Sequence, residues 1–514
     1  MTSNTISMIH QEIQNDFDIL LSTVTDPNSQ NGTVDQMERH LLRQLLCLGA
    51  KLLQLFIEMR SARYPRQEAV RPDGVRLPYH SEKSRDYISI FGAIEIRRPY
   101  FYRKGGGGYS PLDAALGLGE DCYSDCLHEL HDELAVYTPF ERVVGLIERW
   151  LGIGLSSRCV QQFVATDAAD VAAYYEQKPP PPVAEEGAIL VVQSDGKGVP
   201  ILKASAKKDK IRLKRGEARS RKRAVTVTTV YTIDPAPRGV ADVMASLLQE
   251  GEAGSDLNRA GPKHKQLWGT LQGKAAALAR LQRQVDKRMG EHIRYRVMLC
   301  DGDKSLQERL AKSFPDFSLI LDFIHAYEYL WKIATTLFGQ DDPQREPWIV
   351  AQTRHLLDGQ ALSLAATFRQ MAQEKGRTAS QKKILIKVAN YFQNNHAYMD
   401  YATYLAKGWP IASGVIEGAC RHFVKDRMEL SGMRWSIQGA ENLLHLRAVA
   451  ENQDWQAYHR FRQQQRQQRL YKCDWPDDIP LPTLSRPRKR SQRLSMNVGP
   501  VSTQQDYGRL PLAG

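Results

Sequence analysis

Seven cysteines in 514 residues are scattered without the paired spacing of a disulfide framework, which fits a reducing cytosol. Cys122 and Cys126 could supply half a zinc site, but no second Cys/His pair follows at finger spacing, so no zinc is expected. No apolar run approaches the ~20 residues of a membrane span. The start, MTSNTISMIHQEIQNDFDIL, lacks the basic-then-apolar order of a signal peptide. A membrane partner is therefore not expected. Acidic residues are outnumbered as well. The formal net charge of +12 favours a polyanionic partner.

The most informative stretch runs from Arg294 to Phe338 and reads as strand, helix, strand, helix. Val297–Cys300 is a short apolar run ending at Asp301-Gly302. Leu306, Leu310 and Phe314 recur at helical spacing. Leu319–Leu321 is a second apolar run, ending at Asp322, and His325 to Phe338 reads as the next helix. Two parallel strands thus each deliver an Asp at the C-terminal edge, where α/β sheets gather their ligand sites. Ala188–Val192 is another such run and leads to Asp195. Far downstream, Ser413 to Met428 reads as a helix carrying Glu417 near its start, with Ile416, Ala419, Cys420, Phe423, Val424 and Met428 on its apolar face. Two Asp on strands and a Glu on a later helix suit two Mg²⁺ (or Mn²⁺) ions that activate an attacking oxygen and stabilise a leaving one. Asp303 and Asp322 compete for the second position. Asp301 is preferred because it ends its strand directly.

Four stretches carry a resemblance: Gly92 to Gly119 (GAIEIRRPYFYRKGGGGYSPLDAALGLG), Gln193 to Val199 (QSDGKGV), Asp301 to Trp331 with its ILDFIHAYEYLW end, and Ser413 to Ser436 (SGVIEGACRHFVKDRMELSGMRWS). On these the chain resembles the DDE transposases of the ISKra group of bacterial insertion sequences, relatives of the Mutator-like transposases. The resemblance implies a ribonuclease-H-like catalytic fold with Asp195, Asp301 and Glu417 as the metal-binding triad. It also implies that Asp322-x-x-His325 is the Asp/Cys-x-x-His accessory motif, with His325 close to the chemistry. Relatives often carry Cys after the hairpin that begins the first stretch. Here Arg103-Lys104-Gly105-Gly106-Gly107-Gly108 stands instead.

The remaining segments read in order. Residues 1–80 are a helical region with an apolar stripe from Leu41 to Phe56, a bundle or dimerisation helix. Residues 81–178 hold a β-hairpin over Tyr87 to Tyr102, turning at Gly92-Ala93, and a helix-turn-helix-like pair. In that pair Ser156 caps the second helix, and Arg158, Gln161 and Gln162 are candidates to read base edges. Lys178-Pro179-Pro180-Pro181-Pro182 is a linker. The catalytic region is 183–340 and 406–470. Lys207 to Arg223 carries ten Lys/Arg against two acids. Its Lys207, Lys208, Lys210, Arg212, Lys214, Arg215, Arg221, Lys222 and Arg223 are candidate DNA-backbone contacts. Ala224 to Thr232 reads as an inner strand and Lys263 to Met289 as one long helix. The 116 positions from Asp301 to Glu417 are too many for one connection, so 341–405 is read as an all-α insertion. Residues 471–514, with Arg486-Pro487-Arg488-Lys489-Arg490, form a basic Pro-rich tail expected to be disordered.

The expectation is an α/β protein: a ribonuclease-H-like catalytic domain with an all-α insertion, preceded by a mostly helical DNA-binding region containing a β-hairpin. Its partner is double-stranded DNA, at element ends and at the target. At least a homodimer is expected, because transposases pair two ends. The expected location is the bacterial cytoplasm, nucleoid-associated when DNA-bound. A metal-activated water would cut the element end, and the freed 3′-hydroxyl would attack target DNA. The rival readings are a domesticated, non-catalytic DNA-binding protein and a ribonuclease-H-like nuclease without strand transfer.

Overall fold

A computed structural model describes residues 2–202, 222–248, 261–475 and 479–484. Residues 479–484 belong to a separate unit beginning at Pro476 and form neither helix nor strand.

Among the described residues, nine strands form two sheets. The first four are β1 (Glu68–Val70), β2 (Arg76–Ser89), β3 (Gly92–Arg103) and β4 (Gly107–Tyr109), an antiparallel sheet in sequential order. The other five are β5 (Ile189–Pro200), β6 (Lys222–Ile233), β7 (Lys263–Thr270), β8 (Tyr295–Cys300) and β9 (Ser318–Leu321), in the order β7-β6-β5-β8-β9. The β5/β6 and β6/β7 pairs are antiparallel, whereas β5/β8 and β8/β9 are parallel. Strand β5 is central and its first half is buried on both faces, so Ile189–Val192 is continuously apolar rather than alternating. Ile189 and Val191 join one core with Val297, Leu299 and the helix Phe323–Phe338. Leu190 and Val192 join the opposite one with Met298 and the helices Lys274–Arg288 and Lys304–Ser313. The period of two along the strand assigns each residue its layer.

The stretch expected as one helix from Lys263 to Met289 divides instead. Lys263–Thr270 is edge strand β7, and the helix begins at Lys274 after Gly273. Leu267, Leu271, Leu278, Leu281 and Val285 mimic helical spacing, but pairing of Leu267 and Trp268 with β6 decides the first part. The 341–405 segment is helical: Arg345–Leu357, Ala361–Gln373, Ala379–Asn395 and Tyr401–Ala406 pack on the Phe323–Phe338 helix within one core.

The β2/β3 hairpin turns at Ile90-Phe91, two residues before the expected Gly92-Ala93, because Ser89 pairs with Gly92. The Ser89 hydroxyl accepts from Phe91 N–H at 3.1 Å and donates to Gly92 O at 3.1 Å. Phe91 lies over Gly49 of the helix Val34–Ala62, where a Cβ would come within 2.6 Å of the ring. That helix is also long and apolar enough to cross a membrane, which the reading of apolar runs missed because Arg43 and Lys51 interrupt it. Lys51 is ion-paired with Asp16 of the helix Thr2–Thr25 at 2.7 Å.

The helices Asp125–Tyr137, Phe140–Leu151, Ser157–Asp167 and Val171–Gln177 do not stand apart from the larger sheet. Their Val143, Val160, Phe163 and Tyr175 share one core with Val199, Val225 and Leu267 of that sheet and with Phe423, Leu443 and Tyr458. Packing therefore crosses the Pro179–Pro182 segment.

Candidate active site

Asp195 and Asp301 come to one edge through register. The parallel pairing of β5 and β8 ends at Gln193↔Leu299, and each Asp lies two residues further along the chain, Asp195 within β5 and Asp301 just past β8. Burial pushes the Asp301 carboxyl above the usual range. The Asp303 N–H, 3.1 Å from Asp301 Oδ1, opposes that shift, and the neighbouring Asp195 charge adds to it. Asp301 Oδ2 has no hydrogen-bond partner among the described residues. On the other side, the buried Cys420 thiol is pushed up by burial and by Asp195. Asp195 thus faces the helical segment that carries Glu417.

Glu417 lies on Gly414–Ala419, followed by a π-helical turn, Cys420–Lys425, and the short helix Asp426–Met428. The sequence suggested one uninterrupted helix here. Buried Gln193 fixes the position of this segment on β5: its side-chain oxygen accepts Ile416 N–H at 3.0 Å and its amide nitrogen donates to the Tyr231 hydroxyl at 3.1 Å.

Asp322 is fully buried at the end of β9 and caps the Phe323–Phe338 helix. Its Oδ1 accepts Ile324 N–H at 3.0 Å and Ser413 N–H at 3.2 Å. Its Oδ2 accepts His325 Nδ1–H at 2.7 Å and the Ser413 hydroxyl at 2.6 Å. A carboxylate offers about four lone-pair positions, and all are taken. Burial opposes ionisation, but the bonds from His325 and Ser413 hold Asp322 below its ordinary pKa. The hydrogen bond from His325 to Asp322 raises the imidazole to about 9, so it is cationic at neutral pH. Glu417 Oε1 lies 3.6 Å from His325 Nδ1 and 3.0 Å from the Ser413 hydroxyl. Burial and adjacent Asp322 push Glu417 up. Asp322, His325 and Glu417 are also the group of His, Cys, Asp and Glu close enough to hold one ion among the described residues.

The structure divides the labour among these groups. Asp322 has no lone pair to spare and orients His325 and Ser413, leaving His325 Nε2 for a ligand. Asp301 and Glu417 are acids whose charge is disfavoured by burial first and by a neighbouring carboxylate second. A divalent cation with a preference for hard oxygen donors suits that excess of carboxylate.

The sequence did not point to Ser413 or Gln193 as supports, nor to the brace behind Asp301. Gln307 donates to Asp301 O at 3.1 Å and to Asn395 Oδ1 at 2.9 Å, tying the Asp301 turn to the helical insertion. Tyr391 of the same insertion covers Gly302, where a Cβ would meet the ring at 2.3 Å. Asp-Gly after a strand signals a turn, but nothing in the sequence reveals what packs on it.

Of the candidate DNA contacts, Arg158, Gln161 and Gln162 are exposed on the Ser157–Asp167 helix. Ser156 caps this helix by accepting Cys159 N–H at 3.2 Å. Gln161 borders a cavity beside Trp435. Lys222 pairs with Glu429 at 2.7 Å, and Arg223 is exposed on β6. Lys207, Lys208, Lys210, Arg212, Lys214, Arg215 and Arg221 lie outside the described residues, as do Arg486 to Arg490.

No family model matches the chain, and no curated protein does. Among solved structures the chain is similar to a Drosophila P element transposase strand transfer complex, at 8% identity over 68% of this chain and 81% of that one, with a TM-score of 0.22. A TM-score that low establishes no shared fold by itself.

Proposed function

We propose that the chain is a DDE transposase of the ISKra kind, with a ribonuclease-H-like catalytic domain, acting on double-stranded DNA as at least a homodimer in the bacterial cytoplasm. The carrying observation is the convergence of Asp195, Asp301 and Glu417 at one edge of the mixed sheet, beside an Asp322–His325 pair whose carboxylate is already saturated. Strand order β7-β6-β5-β8-β9, with an acid on the first of these strands in chain order and another directly after the fourth, supports the same reading.

Asp195, Asp301 and Glu417 would hold Mg²⁺ or Mn²⁺. When bound, such ions lower the pKa of an oxygen nucleophile and stabilise the leaving oxygen of an in-line displacement. The chain's own groups supply positioning. Asp322 keeps His325 Nδ1 occupied, so Nε2 is directed to a phosphate oxygen. Gln193 and Ser413 fix where Glu417 stands, while Gln307 and Tyr391 fix the Asp301 turn. Two displacements at phosphorus then follow. Water attacks the phosphodiester at the element end and releases a 3′-hydroxyl. That hydroxyl attacks a target phosphodiester and displaces the target's own 3′-oxygen.

The test is incubation of the full chain with Mg²⁺, DNA carrying the sequences that flank its gene, and a target plasmid. End cleavage and joining to the plasmid are expected. Cleavage without joining would make it a nuclease, and end binding without cleavage a DNA-binding protein.

A further inference from the structure

Beside the Glu417 segment lies a cavity of about 460 Å³, a size that accepts a small organic group. Phe140 and Trp435 meet on its wall at right angles, with ring centroids 5.9 Å apart. Arg427 fills the angle, its guanidinium 5.2 Å from one ring and 5.1 Å from the other. Arg427 is 1% exposed and has no carboxylate partner among the described residues. Its Nε donates to Ala135 O at 3.0 Å and its Nη1 meets the Met433 sulfur at 3.4 Å, but Nη2 is buried with no partner. A buried donor without an acceptor is costly, and a cationic one more so. Burial, with the nearby Arg447 charge adding to it, lowers this guanidinium to about 9. Amides complete the lining. Gln438 donates to Asn442 Oδ1 at 2.8 Å, which leaves Asn442 Nδ2 and Gln438 Oε1 for a ligand, and Gln161 stands opposite on its own helix.

We propose that this cavity receives a single nucleobase turned out of the DNA duplex, and this rests on the DNA-processing reading above. Aromatic faces stack on any base, while guanidinium and amide groups read a base edge. Donors outnumber acceptors, so guanine, with N7 and O6 side by side, fits best. The cavity's place in the chain sets its distance from the acids. Trp435 is tied to Pro200 O and to Leu202 N–H, at 3.0 and 2.9 Å. Ile201 lies six residues beyond Asp195, about 20 Å along an extended strand. Arg427 lies ten residues beyond Glu417, about 15 Å along a helix. At 3.4 Å per base pair, the captured base lies about four to six pairs from the acids.

The experiment is equilibrium binding of the full chain, without divalent metal, to two duplexes of arbitrary sequence, one fully paired and one with a single bulged guanine. Wild type is expected to prefer the bulge by about tenfold, the scale of one base stacking on an aromatic side chain. Gln161→Ala, at an exposed position, should lower the ratio of bulged to paired affinity severalfold. Arg427→Met should abolish it, and a melting curve checks that this buried variant still folds. Asp301→Asn should keep it, so a chain that fails to cut DNA can still pass this test. Equal affinity of wild type for the two duplexes, or a preference that Gln161→Ala leaves intact, would overturn the proposal.

Discussion

The chain spells Asp-x-x-His twice, at Asp125-Cys126-Leu127-His128 and at Asp322-Phe323-Ile324-His325, and the two have opposite fates. In the first, acid and imidazole part company. Asp125 takes a two-pronged bond from Arg466 at 2.6 and 2.7 Å. His128 bonds Asp167 at 2.6 Å and Asp121 at 3.1 Å, and Asp167 also pairs with Arg462. Burial disfavours the charge on Asp125, but Arg466 and Arg462 still hold it below the ordinary range. In the second, His325 serves Asp322 alone at hydrogen-bond distance, and nearby Asp301 and Glu417 are both pushed up. Acids matched by arginine fasten the Trp455–Tyr471 helix to the 121–167 region. Acids left in excess of cations carry a cost in stability, which under the proposed function is the cost of placing them for chemistry.

The largest effect is expected at the unmatched acids. Glu417→Gln or Asp195→Asn should lower cleavage and joining about a thousandfold, the scale of losing one electrostatic element of a site, with end binding retained. Single-turnover cleavage beside a binding titration reads both. Next comes the matched region. Asp167→Asn leaves Arg462 buried without its closest counter-charge and should cost about 3–5 kcal/mol in denaturant unfolding. Cleavage per folded molecule should not change, and a loss there would blur the distinction. His325→Ala should slow cleavage about a hundredfold, within the range for a positioned proton-transferring or donor group, at unchanged melting temperature. Wild-type rates would reduce the second Asp-x-x-His to a helix cap.

Smaller effects sharpen the picture. Gly302→Ala forces a Cβ against Tyr391, and crowding of that kind costs about 1–3 kcal/mol. Part of that cost should appear as slower cleavage through a displaced Asp301, and Tyr391→Leu in the same chain should restore the rate. Arg158→Ala should relax discrimination between element ends and random duplex by about 1–3 kcal/mol. An unchanged ratio in titrations on both duplexes would make that helix structural.

What the sequence revealed follows from where tertiary context intervenes. Strands β5, β8 and β9 were legible because a strand covered on both faces shows a continuous apolar run, and an Asp ends or closely follows each run. The helix after Asp322 and the helical insertion were legible from length and spacing. Edge strand β7 was hidden because Leu267 and Leu271 also satisfy a helix period, and only β6 decides between the two. The Ile90-Phe91 turn was hidden because apolar turn residues need a partner, here Gly49 from another element. The acids that the mixed sheet brings to one edge stand out in the sequence by type and order. That Asp322 is saturated while Asp301 is not depends on Ser413, 91 residues beyond Asp322.

If charge balance separates catalytic acids from fastening ones, Asp301→Asn and Asp125→Asn must differ both in unfolding and in Mg²⁺-dependent cleavage. Asp301 has a raised carboxyl, so its charged form weakens the fold above its unfolded-state pKa, and the neutral amide removes that cost. Asp125 has a lowered carboxyl, so its charge adds stability that the amide forfeits. The account predicts that at neutral pH Asp301→Asn melts at or above the wild-type temperature and does not cut, whereas Asp125→Asn melts lower and cuts normally once folded. Normal cleavage by Asp301→Asn would contradict it.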